Sequence, residues 1–327
     1  MSLDPQIEAI LQLARANKKP SFHQCTLEEA RNILSSSATG LGPGPEVHQV
    51  SDVLVNARWG NMPGRLYRSA DTETGLIVYV HGGGWCLGDI PDFDMLCRLL
   101  CQQSQCAVLL PGYRLAPEHP FPHGLEDVID TLQWAWQERS LLCGGDVPIV
   151  AAGDSAGANL VAVAVNELRS TIPIAMQVLV YPVAACHFNT ESYQQFSEGY
   201  PLMREDMQWF FQHYAPSSLW ADQRVSPIHN QNLSGLPKTW MGIADHDVLR
   251  DDGLSYAEAL RNAGNDVVLR VYPGMTHGFI RMANLVDVAR DAVCEMALAV
   301  RDCCQKIHIK NDYQNNQGGS DGRNSVK

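Results

Sequence analysis

From residue 76 onward, short runs dominated by apolar residues alternate with longer stretches whose apolar positions recur every three or four residues. The runs at 76–80, 107–110, 148–152, 175–180, 239–243 and 267–272 have the length of strands. The stretches at 93–103, 125–138, 156–168 and 252–262 carry helical spacing. A strand that is apolar on both faces has to be covered on both faces. Its alternation with helices therefore predicts an α/β protein with a mainly parallel sheet between two helical layers. Two further runs, 47–55 and 64–68, read as a hairpin-like pair ahead of the alternation and bring the sheet to eight strands.

Three regions depart from this rhythm. Residues 4–17 set Ile7, Ile10, Leu11 and Ala14 on one helical face, and Thr26 followed by Glu29 is a capping box that opens a second helix through residue 34. The Ser-, Gly- and Pro-rich stretch 35–45 reads as a linker. Residues 187–224 show no strand pattern, run from Phe188 to Trp220 with many aromatics, and interrupt the alternation between two sheet strands. An insertion there, joined by the N-terminal helices, predicts a lid. The tail from 308 is polar, rich in Asn and Gln, and is expected to be disordered. The chain thus divides into an N-terminal helical part of a cap with its linker (1–45), a core in two pieces (46–186 and 225–307), a cap insertion (187–224) and a tail (308–327).

Composition narrows the choices without selecting a chemistry. The chain has 327 residues, 45% of them hydrophobic and 18% charged, enough for one large α/β domain. A net charge of −12 argues against nucleic-acid partners and against adhesion to anionic lipid. No apolar run approaches the roughly 18 residues of a membrane span. The first ten residues include Asp4, Pro5 and Glu8 and no basic cluster, so no secretory signal and a cytoplasmic location are expected. In that setting the ten cysteines are expected as free thiols. Cys97 and Cys101 are four apart but have no matching Cys/His pair, so no metal site is expected from them.

Two glycine motifs carry the chemistry. Gly153-Asp-Ser-Ala-Gly157 lies between the apolar run 148–152 and the helical stretch 156–168. A serine at such a strand-to-helix turn projects its hydroxyl from the sheet edge, with the N-terminus of the new helix behind it. Ser155 is therefore a candidate nucleophile. His81-Gly-Gly-Gly-Trp85 follows the run 76–80 directly. Consecutive glycines let the main chain come close to a substrate and offer N–H groups, which with that of Ala156 can hold an oxyanion. His81 precedes these donors and is assigned to shaping the loop.

A serine hydroxyl needs an adjacent base. In the strand-to-helix arrangement the expected order is Ser, acid, His. Of the downstream histidines only His277 comes just after the last strand run, whereas His187 and His213 fall in the aromatic segment and His308 near the end. The acid is expected in the loop after run 239–243, where Asp245, Asp247 and Asp251 compete and position favours the first two. The adjacent Asp245-His246-Asp247 does not read as a metal site, because neighbouring residues rarely converge on one ion.

Four segments together resemble the hormone-sensitive-lipase family of esterases, the bacterial and fungal enzymes related to arylacetamide deacetylase. They are His81-Gly-Gly-Gly-Trp85, Tyr113-Arg-Leu-Ala-Pro-Glu-His-Pro120, Gly153-Asp-Ser-Ala-Gly157, and Asp247-Val-Leu-Arg-Asp251 with His277-Gly-Phe279. The resemblance implies the α/β-hydrolase fold with a helical cap built partly from the N-terminus. By position it implies Ser155 as nucleophile, Asp247 as acid, His277 as base, and Gly83, Gly84 and Ala156 as oxyanion donors. Arg114 and Glu118 would be supporting residues. Val248 stands where the family usually has Pro, a departure expected to affect loop stiffness. The implied reaction is hydrolysis of small to medium carboxylic esters through an acyl-enzyme, with no metal or organic cofactor. A thioesterase or acyltransferase could use the same triad. The related plant gibberellin receptors are non-catalytic and lack the triad histidine, which is present here as His277. The expected partner is a small-molecule ester, and a homodimer is left open.

Overall fold

The computed structural model describes residues 2–318. Its sheet consists of β1 (Gln49–Ala57), β2 (Gly60–Arg68), β3 (Leu76–Val80), β4 (Ala107–Pro111), β5 (Ile149–Asp154), β6 (Ile174–Val180), β7 (Lys238–His246) and β8 (Val267–Thr276). The strand order is β1-β2-β4-β3-β5-β6-β7-β8. β2 runs antiparallel to β1 and β4, and the remaining pairs are parallel. The helices are α1 (Pro5–Ala16), α2 (Leu27–Gly40), α3 (Asp94–Ser104), α4 (His123–Cys143), α5 (Ala156–Leu168), α6 (Glu191–Gln195), α7 (Arg204–Tyr214), α8 (Arg250–Asn262) and α9 (Asp287–Gly318).

The apolar run of β3 shows why both layers form. Leu76, Val78 and Val80 enter one core with α4, α5 and α8. Ile77 and Tyr79 point the other way, into a second core with α3 and α9. This is the two-residue alternation of a strand buried on both sides.

The N-terminal helices and the segment 187–224 meet over one end of the sheet. The rings of Phe22 and Phe210 are 5.6 Å apart between centroids. Asp206 accepts from the His23 main-chain N–H at 2.9 Å and lies 2.8 Å from its Nδ1. Arg31 of α2 donates to both oxygens of Glu118 at 2.7 Å and, through Nε, to the carbonyl of Cys86 at 2.9 Å. That contact reaches the loop that follows β3.

Several boundaries differ from the sequence reading. The stretch 35–45, expected as a linker, is helical up to Gly40. Ser37 and Thr39 donate their hydroxyls back to the carbonyls of Leu34 and Ser35, so this Ser-rich run stays within the helix until the Gly/Pro residues 42–45 end it. The tail expected to be disordered from 308 is helical through Gly318 as the end of α9. It contains no proline and no glycine before that position, so a helix already anchored upstream propagates through it. Residues 319–327 lie outside the described residues. β7 and β8 also run past their expected ends, placing Asp245 and His246 inside a strand instead of a loop.

Candidate active site

The loops after β3, β5, β7 and β8 open at the carboxyl ends of the strands, where open α/β sheets bind their ligands. β5 ends in Gly153-Asp154, and α5 begins at Ala156, so Ser155 alone makes the turn. It does so at φ 56° and ψ −122°, a region that residues with a Cβ rarely occupy. Its N–H is tied to the Val180 carbonyl of β6 at 2.8 Å. Gly157 is needed for close approach, since a Cβ there would lie 2.1 Å from the Val80 carbonyl oxygen.

His277 follows β8 and sits against Ser155, with Nε2 2.9 Å from Oγ. Its Nδ1 is 2.7 Å from Asp247 Oδ2. The other oxygen of Asp247 accepts the Leu249 N–H at 2.9 Å, which fixes the carboxylate. The ring of Tyr181 packs 4.5 Å from the imidazole. Of the competing carboxylates, Asp245 turns to the Gly274 N–H and to His246, and Asp251 to the Ser192 N–H and Arg250. The histidines that competed with His277 lie elsewhere: Nδ1 of His187 is 3.9 Å from Asp252, Nδ1 of His213 meets the Trp209 carbonyl and Nε2 of His308 that of Thr74.

The loop after β3 presents its glycines to the same place. The Gly82 N–H donates to Asp154 Oδ1 at 2.9 Å. Among the described residues, no protein acceptor takes the N–H groups of Gly83, Gly84 or Ala156. Gly83 has φ +121°, and a Cβ there would lie 2.2 Å from the Leu87 carbonyl oxygen. Trp85 anchors the loop from the cap side, its indole stacked at 4.3 Å on Tyr214 and tilted at 4.9 Å against Phe211.

Two supports of this loop were not assigned in the sequence. Asp154 is buried and accepts from Tyr79 Oη and Gly82 N, both at 2.9 Å. Burial raises its pKa, opposed by those hydrogen bonds and the charge of Arg281. Tyr113, in the second matched segment, donates to the His81 carbonyl at 2.9 Å. Within that segment Arg114 forms a two-point bond with Asp127, and Glu118 binds Arg31, so neither reaches Ser155.

His81 is buried between the rings of Phe93 and Tyr113, and burial lowers its pKa from 6.5 to about 4. The folded state thus binds fewer protons than the unfolded state between those values. The contribution is complete above the unfolded pKa and is lost as pH falls through the folded one. From this group alone, the stability lost from pH 6.5 to 4 is expected to be about 3 kcal/mol. Urea unfolding across that window should show it, and His81→Gln should flatten the slope. An equal slope in the variant would place the proton uptake elsewhere.

Ser155, His277, Gly83 and Gly84 border one cavity of about 560 Å³. Its outer walls come from α1, α2 and the segment 187–224, largely as aliphatic side chains. Among the described residues, no group of three or more His, Cys, Asp or Glu is placed to hold a metal ion, and no helix is long and apolar enough to cross a membrane. A hydroxyl, an imidazole and a carboxylate in series, beside free N–H groups, can carry out acyl transfer.

A family model described as the alpha/beta hydrolase fold matches residues 77–281. The chain is 33% identical over 316 residues to the ethyl acetate hydrolase of Pseudomonas putida, covering 92% of this chain and 99% of that one. The chain belongs to the α/β-hydrolase fold family, among its hormone-sensitive-lipase-like esterases. This esterase is also 39% identical to the carboxylic ester hydrolase LipN of Mycobacterium tuberculosis, over 79% of its own length and 72% of LipN. The hyperthermophilic esterase of the archaeon Pyrobaculum calidifontis superposes on it with a TM-score of 0.87 at 32% identity, covering 92% of this chain and 99% of that one. The esterase is a carboxylic ester hydrolase, and a serine acyl-enzyme is the general mechanism of its family.

Proposed function

We propose that Ser155 is the nucleophile, His277 the general base and acid, and Asp247 the carboxylate that orients it. The carrying observation is the unbroken series from Ser155 Oγ to His277 Nε2 (2.9 Å) and from His277 Nδ1 to Asp247 Oδ2 (2.7 Å). His277 takes the hydroxyl proton as Oγ attacks the ester carbon. The oxyanion forms against the N–H groups of Gly83, Gly84 and Ala156, each donor supplying roughly 3–4 kcal/mol to the transition state. His277 returns the proton to the leaving alcohol. It then draws a proton from water, which attacks the acyl-enzyme and frees the acid.

The substrates are small to medium esters. The size of the cavity and its aliphatic walls support this, as does the relative named ethyl acetate hydrolase. Residues 1–45 and 187–224 act together as a cap, a role supported by Phe22, Asp206 and Arg31 holding them to each other and to the core. The ten unpaired cysteines fit a reducing compartment such as the cytoplasm. A fluorophosphonate, which reacts with activated serines, should inactivate the esterase one-for-one and mark the peptide containing Ser155. Mass spectrometry that located the adduct on any other residue would overturn the assignment.

A further inference from the structure

The cavity that reaches Ser155 is cationic in a protein whose net charge is −12. Three cations border it, Arg15, Lys19 and Arg281, against one acid, Asp154. Asp154 is committed beneath the glycine loop to Tyr79 and Gly82. Arg15 has Glu8 at 3.8 Å and donates to the Gly199 carbonyl. The other two cations lack such partners. Among the described residues, neither Lys19 nor Arg281 has a carboxylate within ion-pair distance.

Arg281 is held in place while keeping donors free. Its guanidinium lies 4.7 Å from the centre of the Phe93 ring, and one Nη donates to the main-chain carbonyl of Asp92 at 3.2 Å. The Asp92 carboxylate does not answer it, because it accepts the Asp89 N–H at 3.0 Å. The Nε of Arg281 is buried with no hydrogen-bond partner. A buried donor in that state is costly and calls for an acceptor. Lys19, between α1 and α2, feels the same imbalance. Lys19 is exposed overall, and partial desolvation, followed by the Arg281 charge, lowers its ammonium pKa. An anion between the two would relieve that repulsion.

We infer that the esterase prefers substrates bearing a carboxylate apart from the scissile ester, such as monoesters of dicarboxylic acids, with that carboxylate bound by Lys19 and Arg281. One planar guanidinium and one ammonium suit a single carboxylate, and the aliphatic walls suit the methylene chain that joins it to the ester. The inference rests on the assignment of Ser155 as the reacting residue.

Monoethyl adipate and ethyl hexanoate share a six-carbon acyl chain and differ in the terminal carboxylate. Water cleaves the ethyl ester of each, releasing ethanol and one proton, so a pH-stat reads both. At low salt the kcat/KM ratio of monoethyl adipate to ethyl hexanoate is expected to be about tenfold or more, falling as salt is added. Lys19→Met should lower the ratio and Arg281→Met should abolish it, whereas Arg281→Lys should keep most of it. A wild-type ratio of one or less, or a ratio unmoved by Lys19→Met and Arg281→Met, would overturn the inference. Binding to the Ser155→Ala protein by calorimetry separates the two readings. Tighter binding of monoethyl adipate than of ethyl hexanoate would uphold the anion site even if neither ester were turned over, a result that would sink only the catalytic assignment. Equal binding would sink the anion site.

Discussion

Ser155→Ala is expected to lower kcat on short p-nitrophenyl esters by a factor of about 10⁵ while the protein melts close to the wild-type temperature. The size of the loss follows from what remains. Without Oγ there is no acyl-enzyme, and His277 can only assist water, with the N–H groups of Gly83, Gly84 and Ala156 still in place. Stability should be retained because alanine keeps the Cβ and the Val180 hydrogen bond to the turn, and it occupies the same φ of 56° at a similar cost. Steady-state kinetics with a thermal melt on the same sample checks both halves. A variant retaining a sizeable share of the wild-type rate would remove Ser155 from the mechanism.

Asp247→Asn is expected to cost about 10⁴-fold in kcat, whereas Asp245→Asn should leave kcat close to wild type. In asparagine the single oxygen stays with the Leu249 N–H, which needs an acceptor, so the amide NH2 replaces Oδ2 and keeps the 2.7 Å contact to Nδ1 by donating to it. That selects the tautomer with a proton on Nε2, which cannot accept one from Ser155. It also removes the negative charge that stabilises the imidazolium. The Asp245 carboxylate faces Gly274 and His246 and not His277, so its loss should act on local packing alone. Parallel kinetics on the two variants decides the matter, and the reverse order of effects would move the acid to Asp245.

Much of this arrangement was legible because it depends on short-range pattern. Five apolar residues in β3, bounded by Gly75 and the glycine loop, read as a strand buried on both faces, and alternate residues do enter separate cores. Ser155 was legible because the strand, the small residues and the helix sit next to one another in the chain. The choice among Asp245, Asp247 and Asp251 needed the resemblance, since one strand end offered three carboxylates and only their directions differ. What stayed hidden depends on contacts distant in sequence. Asp154 meets Gly82, Arg31 meets Glu118, and Lys19 shares a cavity with Arg281, and no local spacing encodes any of these meetings. The Ser-rich end of α2 and the polar end of α9 were misread for a different reason. Composition that favours loops or disorder gave way to a helix already started and anchored.

The backbone at residue 155 also limits which amino acids could ever replace the proposed nucleophile. At φ 56° a β-branched side chain is a severe outlier, so threonine could not supply the attacking oxygen without rebuilding the turn. Cysteine, unbranched at Cβ, fits the same dihedral angles. Along the mutational routes open to this chain, a change of attacking atom would therefore pass from oxygen to sulfur and not from one hydroxyl residue to the other.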